Sequence, residues 1–98
     1  MTFVDKIGEP AALELLAEEC VELSHAALKL ARFERGENPT PTTERAAKEN
    51  VLEEMADVSI VISHFMKELG WVNRGELDAI IHYKEDRMER RLNETGVQ

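Results

Sequence analysis

Most of what would commit this chain to an extracellular, membrane or polymer-binding role is missing from it. There is one cysteine in 98 residues, so no internal disulfide forms and the fold stands without covalent staples. The first ten residues, MTFVDKIGEP, carry an acid and a proline where a secretory leader has a basic stretch and an apolar run, and we expect a cytoplasmic protein. Long apolar runs are absent. The longest stretch, around Val58–Ile62, is far short of the roughly 20 residues that a spanning helix needs. Positive charge is scarce, with 12 Lys+Arg against 20 Asp+Glu and a net charge of −8. That balance argues against a nucleic-acid polymer or an anionic membrane as partner, since both attract basic surfaces. Aromatics are few (one Trp, one Tyr, three Phe). A chain of this length buries only about 60–65% of its unfolded surface, so the core is thin and a homodimer or homotetramer is expected to supply more.

What is present is helical periodicity over a single domain, 1–98. An N-terminal arm (1–9) precedes a helix from Pro10 to Phe33. Its stripe is Leu13, Leu16, Cys20, Leu23, Ala27 and Leu30, stepping three and four and keeping one face inward. Pro10 suits a first turn, and Gly36 can end the helix in the left-handed region. The segment 36–42, GENPTPT, is a loop, because an Asn-Pro step and a second proline exclude helix. Thr42 or Thr43 offers a hydroxyl cap for a second helix, Glu44 to Leu69, with the stripe Val51, Met55, Val58, Ile62, Phe65 and Leu69 and a C-cap at Gly70. A third helix runs from Gly75 to Leu92, capped by Asn73, with Leu77, Ile80, Ile81, Met88 and Leu92 inward, and 93–98 form a flexible tail. No segment alternates with a period of two. The expected fold is all-α: two long antiparallel helices plus a third, a helical bundle completed by oligomerisation. Apolar residues beyond one seam (Leu15, Val21, Leu28; Leu52, Ile60, Val61, Met66) point to a second covered face.

The acids are clustered. One long helix carries Glu18-Glu19-Cys20-Val21-Glu22 and the next Glu53-Glu54-Met55-Ala56-Asp57. Residues three or four apart share a helix face, where like charges cost an isolated helix about 0.2–0.5 kcal/mol per pair. Both clusters lie mid-helix, beyond the help of the N-terminal dipole, and both border the apolar seam. Packed antiparallel, the two helices bring four carboxylates toward one another, and converging carboxylates call for a cation. All-oxygen ligands suit Mg²⁺, with Mn²⁺ as a substitute. Solvated acidic faces are the plain alternative.

The pattern Glu18-Glu19-x-x-Glu22, then Glu54-x-x-Asp57 after 31 intervening residues, resembles the MazG-like all-α NTP pyrophosphohydrolase family. The flanks LAEECVELSHAALKL and NVLEEMADVSIVI resemble that family's two core helices, and the resemblance covers roughly residues 10–70. It implies that Glu19, Glu22, Glu54 and Asp57 hold Mg²⁺, that Glu18 is either a supporting acid outside the ligand set or an orienter of the attacking water, with Glu22 also catalytic, and that a nucleoside triphosphate is cleaved between its α and β phosphates. Such chemistry needs no covalent nucleophile, and the chain has no Gly-rich phosphate loop.

Other residues are weighed beside this. Lys84, Arg87 and Arg91 form the one cationic stripe, a phosphate clamp or a set of ion pairs with Glu85, Asp86 and Glu89. Asn50, one turn before Glu54, is a candidate for binding substrate or an ordered water. Trp71, Phe33 and Tyr83 read better as packing than as base-stacking residues. Cys20 reads as a small buried apolar residue, and His64 and His82 as structural histidines without a partner pattern. Glu22-x-x-His25 has the spacing of a ligand pair in di-iron carboxylate bundles and supports a competing metal-protein reading. A non-catalytic helical dimerisation module is the third.

Overall fold

Caps and breakers place the elements. The computed structural model describes residues 2–37 and 41–94, all helical or in short links: α1 Phe3–Ile7, α2 Glu9–Glu34, α3 Glu44–Glu68 and α4 Arg74–Glu94. The expected N-terminal arm contains α1. Its start is a capping box, in which Asp5 N–H donates to Thr2 Oγ1 (3.1 Å) and Thr2 N–H to Asp5 Oδ2 (3.3 Å), satisfying donors that a helix start leaves orphaned. Gly8 ends α1 at φ 84° and opens α2, with Pro10 in the first turn. α2 closes at Gly36, φ 71°, where Gly36 N–H donates to Phe33 O and Glu37 N–H to Arg32 O. Of the two candidate threonines, Thr43 caps α3, accepting from Ala46 N–H at 3.1 Å. The α3 C-cap is Leu69, with extended backbone, rather than Gly70. Leu69 is 6% exposed, so its burial turns the chain there. Asn73 Oδ1 accepts from Glu76 N–H at 3.0 Å at the start of α4. Asn93 and Glu94, expected in the tail, are helical. Residues 38–40 of the expected loop and 95–98 of the tail lie outside the described residues.

α2 and α3 pack on each other along their lengths, and α1 lies against both. The core cluster of Val4, Ala12, Val61, Phe65 and Leu69 sits where the three meet, with Phe3, Leu15, Leu16 and Val72 against it. A five-residue helix does not persist alone in water. Tertiary contacts hold α1: Val4 is buried, and its N–H donates to Glu68 Oε1 at 2.7 Å.

The packed seam is not the stripe that apolar periodicity selects. The buried or half-buried positions of α2 include Ala12, Leu16, Glu19, Leu23, Ala26, Leu30 and Phe33, and those of α3 include Ala47, Val51, Glu54, Val58, Val61 and Phe65. Cys20 is exposed and Met55 is 50% exposed, which corrects the reading of both as inward. Leu16, Leu23, Leu30, Val51, Val58 and Phe65 stay in the seam while the positions between them shift by one, a rotation of about half a residue, roughly 50°. The antiparallel register that sets Ala12 near Val61 and Glu19 near Glu54 sets Ala26 opposite Ala47. Small residues at these levels let the helices close. A second correction concerns α4, which buries no residue. Of its expected inward stripe only Leu77 is half-buried, while Ile80, Ile81, Met88 and Leu92 are exposed.

Candidate metal centre

The rotation puts carboxylates into the helix interface. Glu19 takes the seam position expected for Cys20 and Glu54 that expected for Met55, and both are half-buried. Glu22, one turn beyond Glu19, is exposed. One oxygen from each of Glu19, Glu22 and Glu54 lies within 4.8 Å of the other two. Glu19 Oε2 and Glu54 Oε2 are closed off from solvent and have no hydrogen-bond partner. A buried polar atom without a partner costs free energy that a native fold avoids unless something else satisfies it.

Charge and burial act together here. Burial is the main cause that raises the Glu19 carboxyl above its usual range, followed by the charges of Glu22, Asp57 and Glu18. Burial likewise leads in raising Glu54, followed by Glu22, Asp57 and Glu19. Such a site takes up either protons or a cation. The donor set is all oxygen, the preference of Mg²⁺ and Mn²⁺. Glu19, Glu22 and Glu54 would hold such an ion between α2 and α3, each offering one carboxylate oxygen. The residues present fit the ion.

Not every sequence-derived candidate joins the cluster. Asp57 is exposed and acts on Glu19 and Glu54 through its charge, and Glu18 is exposed and acts on Glu19 in the same way. Asn50 is half-buried, one turn before Glu54. His25 is not among the converging ligand atoms. Lys84 and Arg87 line an open depression of about 260 Å³ with Met88 and Arg91, and the Arg87 guanidinium stands 5.9 Å from the Tyr83 ring centroid. No hydrogen bond or ion pair joins Lys84 or Arg87 to an acid of the cluster among the described residues. Trp71 and Tyr83, read as packing residues, are 62% and 59% exposed. α3 ends 14 residues after Glu54, about 21 Å on, so Trp71 lies beyond base-stacking reach of the cluster in its own chain.

Both histidines read as lacking a partner have an acid four residues on: the exposed His82 Nε2 is 3.9 Å from Asp86 Oδ2, and the pair at His64 is part of a larger constellation. His64 has a partner: its Nδ1 is 2.5 Å from Glu68 Oε2, and its ring lies 4.9 Å from that of Phe3. The bond from Val4 N–H and that from His64 hold the Glu68 carboxyl below the usual range, with burial opposing them. The i,i+4 spacing of His64 and Glu68 was the available signal; docking of α1 on Glu68 had none.

Compared with known proteins, the chain matches no family model, no curated protein and no solved structure. No helix among the described residues is long and apolar enough to cross a membrane.

Proposed function

We propose that this chain is a Mg²⁺-dependent nucleoside triphosphate pyrophosphohydrolase, yielding a nucleoside or deoxynucleoside monophosphate and pyrophosphate. The observation that carries the reading is the convergence of Glu19, Glu22 and Glu54 from two helices, with two oxygens shut off from solvent and unpartnered. The resemblance of the paired acidic motifs to the MazG-like family supplies the reaction. Glu19, Glu22 and Glu54 hold the ion, and Asp57 adds charge at its edge. When bound, the ion neutralises phosphate charge and activates water. Glu22 is the open-side member, able to reach both the buried pair and an incoming ligand. Glu18, one turn before Glu22 and exposed, accepts a proton from water at that edge. Seating Glu19 and Glu54 in the seam fixes their positions before substrate arrives, which lowers the cost of ordering them.

Assembly as a homodimer or homotetramer belongs to the same reading. Leu13, Met55 and Ile62 on the hairpin and Ile80, Ile81 and Met88 on α4 are all exposed in the single chain, a load of apolar surface that a second copy would cover. The test is product analysis with Mg²⁺ and a panel of NTPs and dNTPs. Pyrophosphate plus monophosphate supports the reading; no turnover, or orthophosphate from the γ position, overturns it. A di-iron protein using Glu22 and His25 would instead show iron binding lost on His25→Ala. A non-catalytic dimerisation module would show neither Mg²⁺-dependent thermal stabilisation nor nucleotide binding.

A further inference from the structure

α4 stands apart from the hairpin. It buries no residue, and neither long helix packs along it. One face of it carries Ile80, Ile81 and Met88, all exposed, and in a soluble protein such a face calls for a cover. Lys84 and Arg91 sit among these residues at spacings of three and four, so cations and apolar groups share the face. Lys84, Arg87, Met88 and Arg91 line the depression of about 260 Å³ on this helix. Acids lie between these cations in sequence. Among the described residues, however, no ion pair joins Lys84, Arg87 or Arg91 to Glu85, Asp86 or Glu89.

A depression of opposite charge, about 510 Å³, lies on the outer flank of α2. Ala17 and Val21 line it together with Glu18, Glu22 and His25. All five are exposed, and neither Glu18 nor Glu22 has an ion pair among the described residues. The two surfaces complement each other. Short Ala17 and Val21 leave room for the longer Ile80, Ile81 and Met88, and acids on one stand against bases on the other. Their lengths agree as well: Glu18 to His25 and Lys84 to Arg91 each span seven residues, about 10 Å of helix. Each depression is lined by a single helix, so within one chain the two do not face each other.

We propose that α4 of one copy docks on the α2 flank of a second copy, and the reverse, closing a twofold dimer in which Lys84 and Arg91 of each meet Glu18 and Glu22 of the other. The proposal names the contact behind the homodimer proposed above and does not depend on the hydrolase activity. Glu22 belongs both to this flank and to the carboxylate cluster. The dimer therefore sets the cationic helix of one copy at the edge of the other copy's cluster.

Charge reversal tests this by sedimentation velocity on the full chain in EDTA. One variant carries Lys84→Glu with Arg91→Glu, the other Glu18→Lys with Glu22→Lys. All four positions are exposed, so helicity by circular dichroism is expected to stay at the wild-type level. Alone, each variant sets like charges against each other and is expected to weaken self-association at least about 100-fold. Mixed, the two restore opposite charges at both contacts and are expected to form a mixed dimer at wild-type concentrations. Three results overturn the proposal: a wild type that stays monomeric, variants that dimerise as the wild type does, or a mixture that stays monomeric. The second leaves the homodimer standing on another face, such as that of Met55 and Ile62. The hydrolase reading is untouched by all three, since neither nucleotide nor ion is present.

Discussion

Replacing Glu54 with glutamine keeps the shape of the side chain and removes a charge that burial, Glu22, Asp57 and Glu19 all disfavour. Two opposite effects follow. Without divalent ions, Glu54→Gln relieves repulsion at the seam, so its melting temperature equals or exceeds that of the wild type. With Mg²⁺ it loses one of three converging donor oxygens, and its response to the ion shrinks. At a concentration 100 times its Kd, an ion bound only by the folded state stabilises by about 2.7 kcal/mol. In a domain of about 100 residues each kcal/mol moves Tm by about 4–8 °C, so the wild type rises by about 11–22 °C. If the lost donor weakens binding about 10- to 100-fold, the same Mg²⁺ concentration gives only about 1.4 to 0.4 kcal/mol, a rise of about 2–11 °C. Thermal melts by circular dichroism, in EDTA and in Mg²⁺, read both effects. An undiminished Mg²⁺ response in Glu54→Gln refutes the ligand assignment. A drop of several degrees in EDTA refutes the claim that this charge is held at a cost.

Two further outcomes follow from the same structure. Glu19 and Glu54 are raised above 4.5, so the folded state holds more protons than the unfolded state, and their contribution to ion-free stability is lost as pH rises from about 4.5 through the raised values; the gap between Glu19→Gln and wild type in EDTA is expected to be widest near neutrality and to close as pH falls toward 4.5, while a gap that widens on acidification reverses the sign and sinks the argument. Gly36 sits at φ 71° with open space where a Cβ would stand, so Gly36→Ala costs only conformational strain, about 1 kcal/mol and about 4–8 °C in Tm; an unchanged melt would show that this helix end does not depend on the left-handed cap.

Much of the fold was legible because it is local. Pro10, Gly36, Thr43 and Asn73 act on backbone groups within four residues, and all four mark helix ends in the structure. The acidic pairs were legible for the same reason, since spacing alone puts Glu19 beside Glu22 and Glu54 beside Asp57. α1 was missed although its capping box lay in plain view at Thr2 and Asp5, because a single turn has no periodicity to find and is held by Val4 and Glu68, residues 64 apart in sequence.

By itself, the sequence determined the three long helices, most of their ends and the two acidic clusters, each set by contacts within a turn or two of chain. Only the tertiary structure decided which stripe of each long helix closes. Hydropathy favours Cys20 and Met55 for the seam, but the fit of Ala12, Ala26 and Ala47 into a close antiparallel pair turns Glu19 and Glu54 inward. Packing is a property of both helices at once, and no scan along one of them contains it. That rotation turns two acidic helix faces into a group of converging, desolvated carboxylates, and it leaves α4 and its basic stripe outside the core.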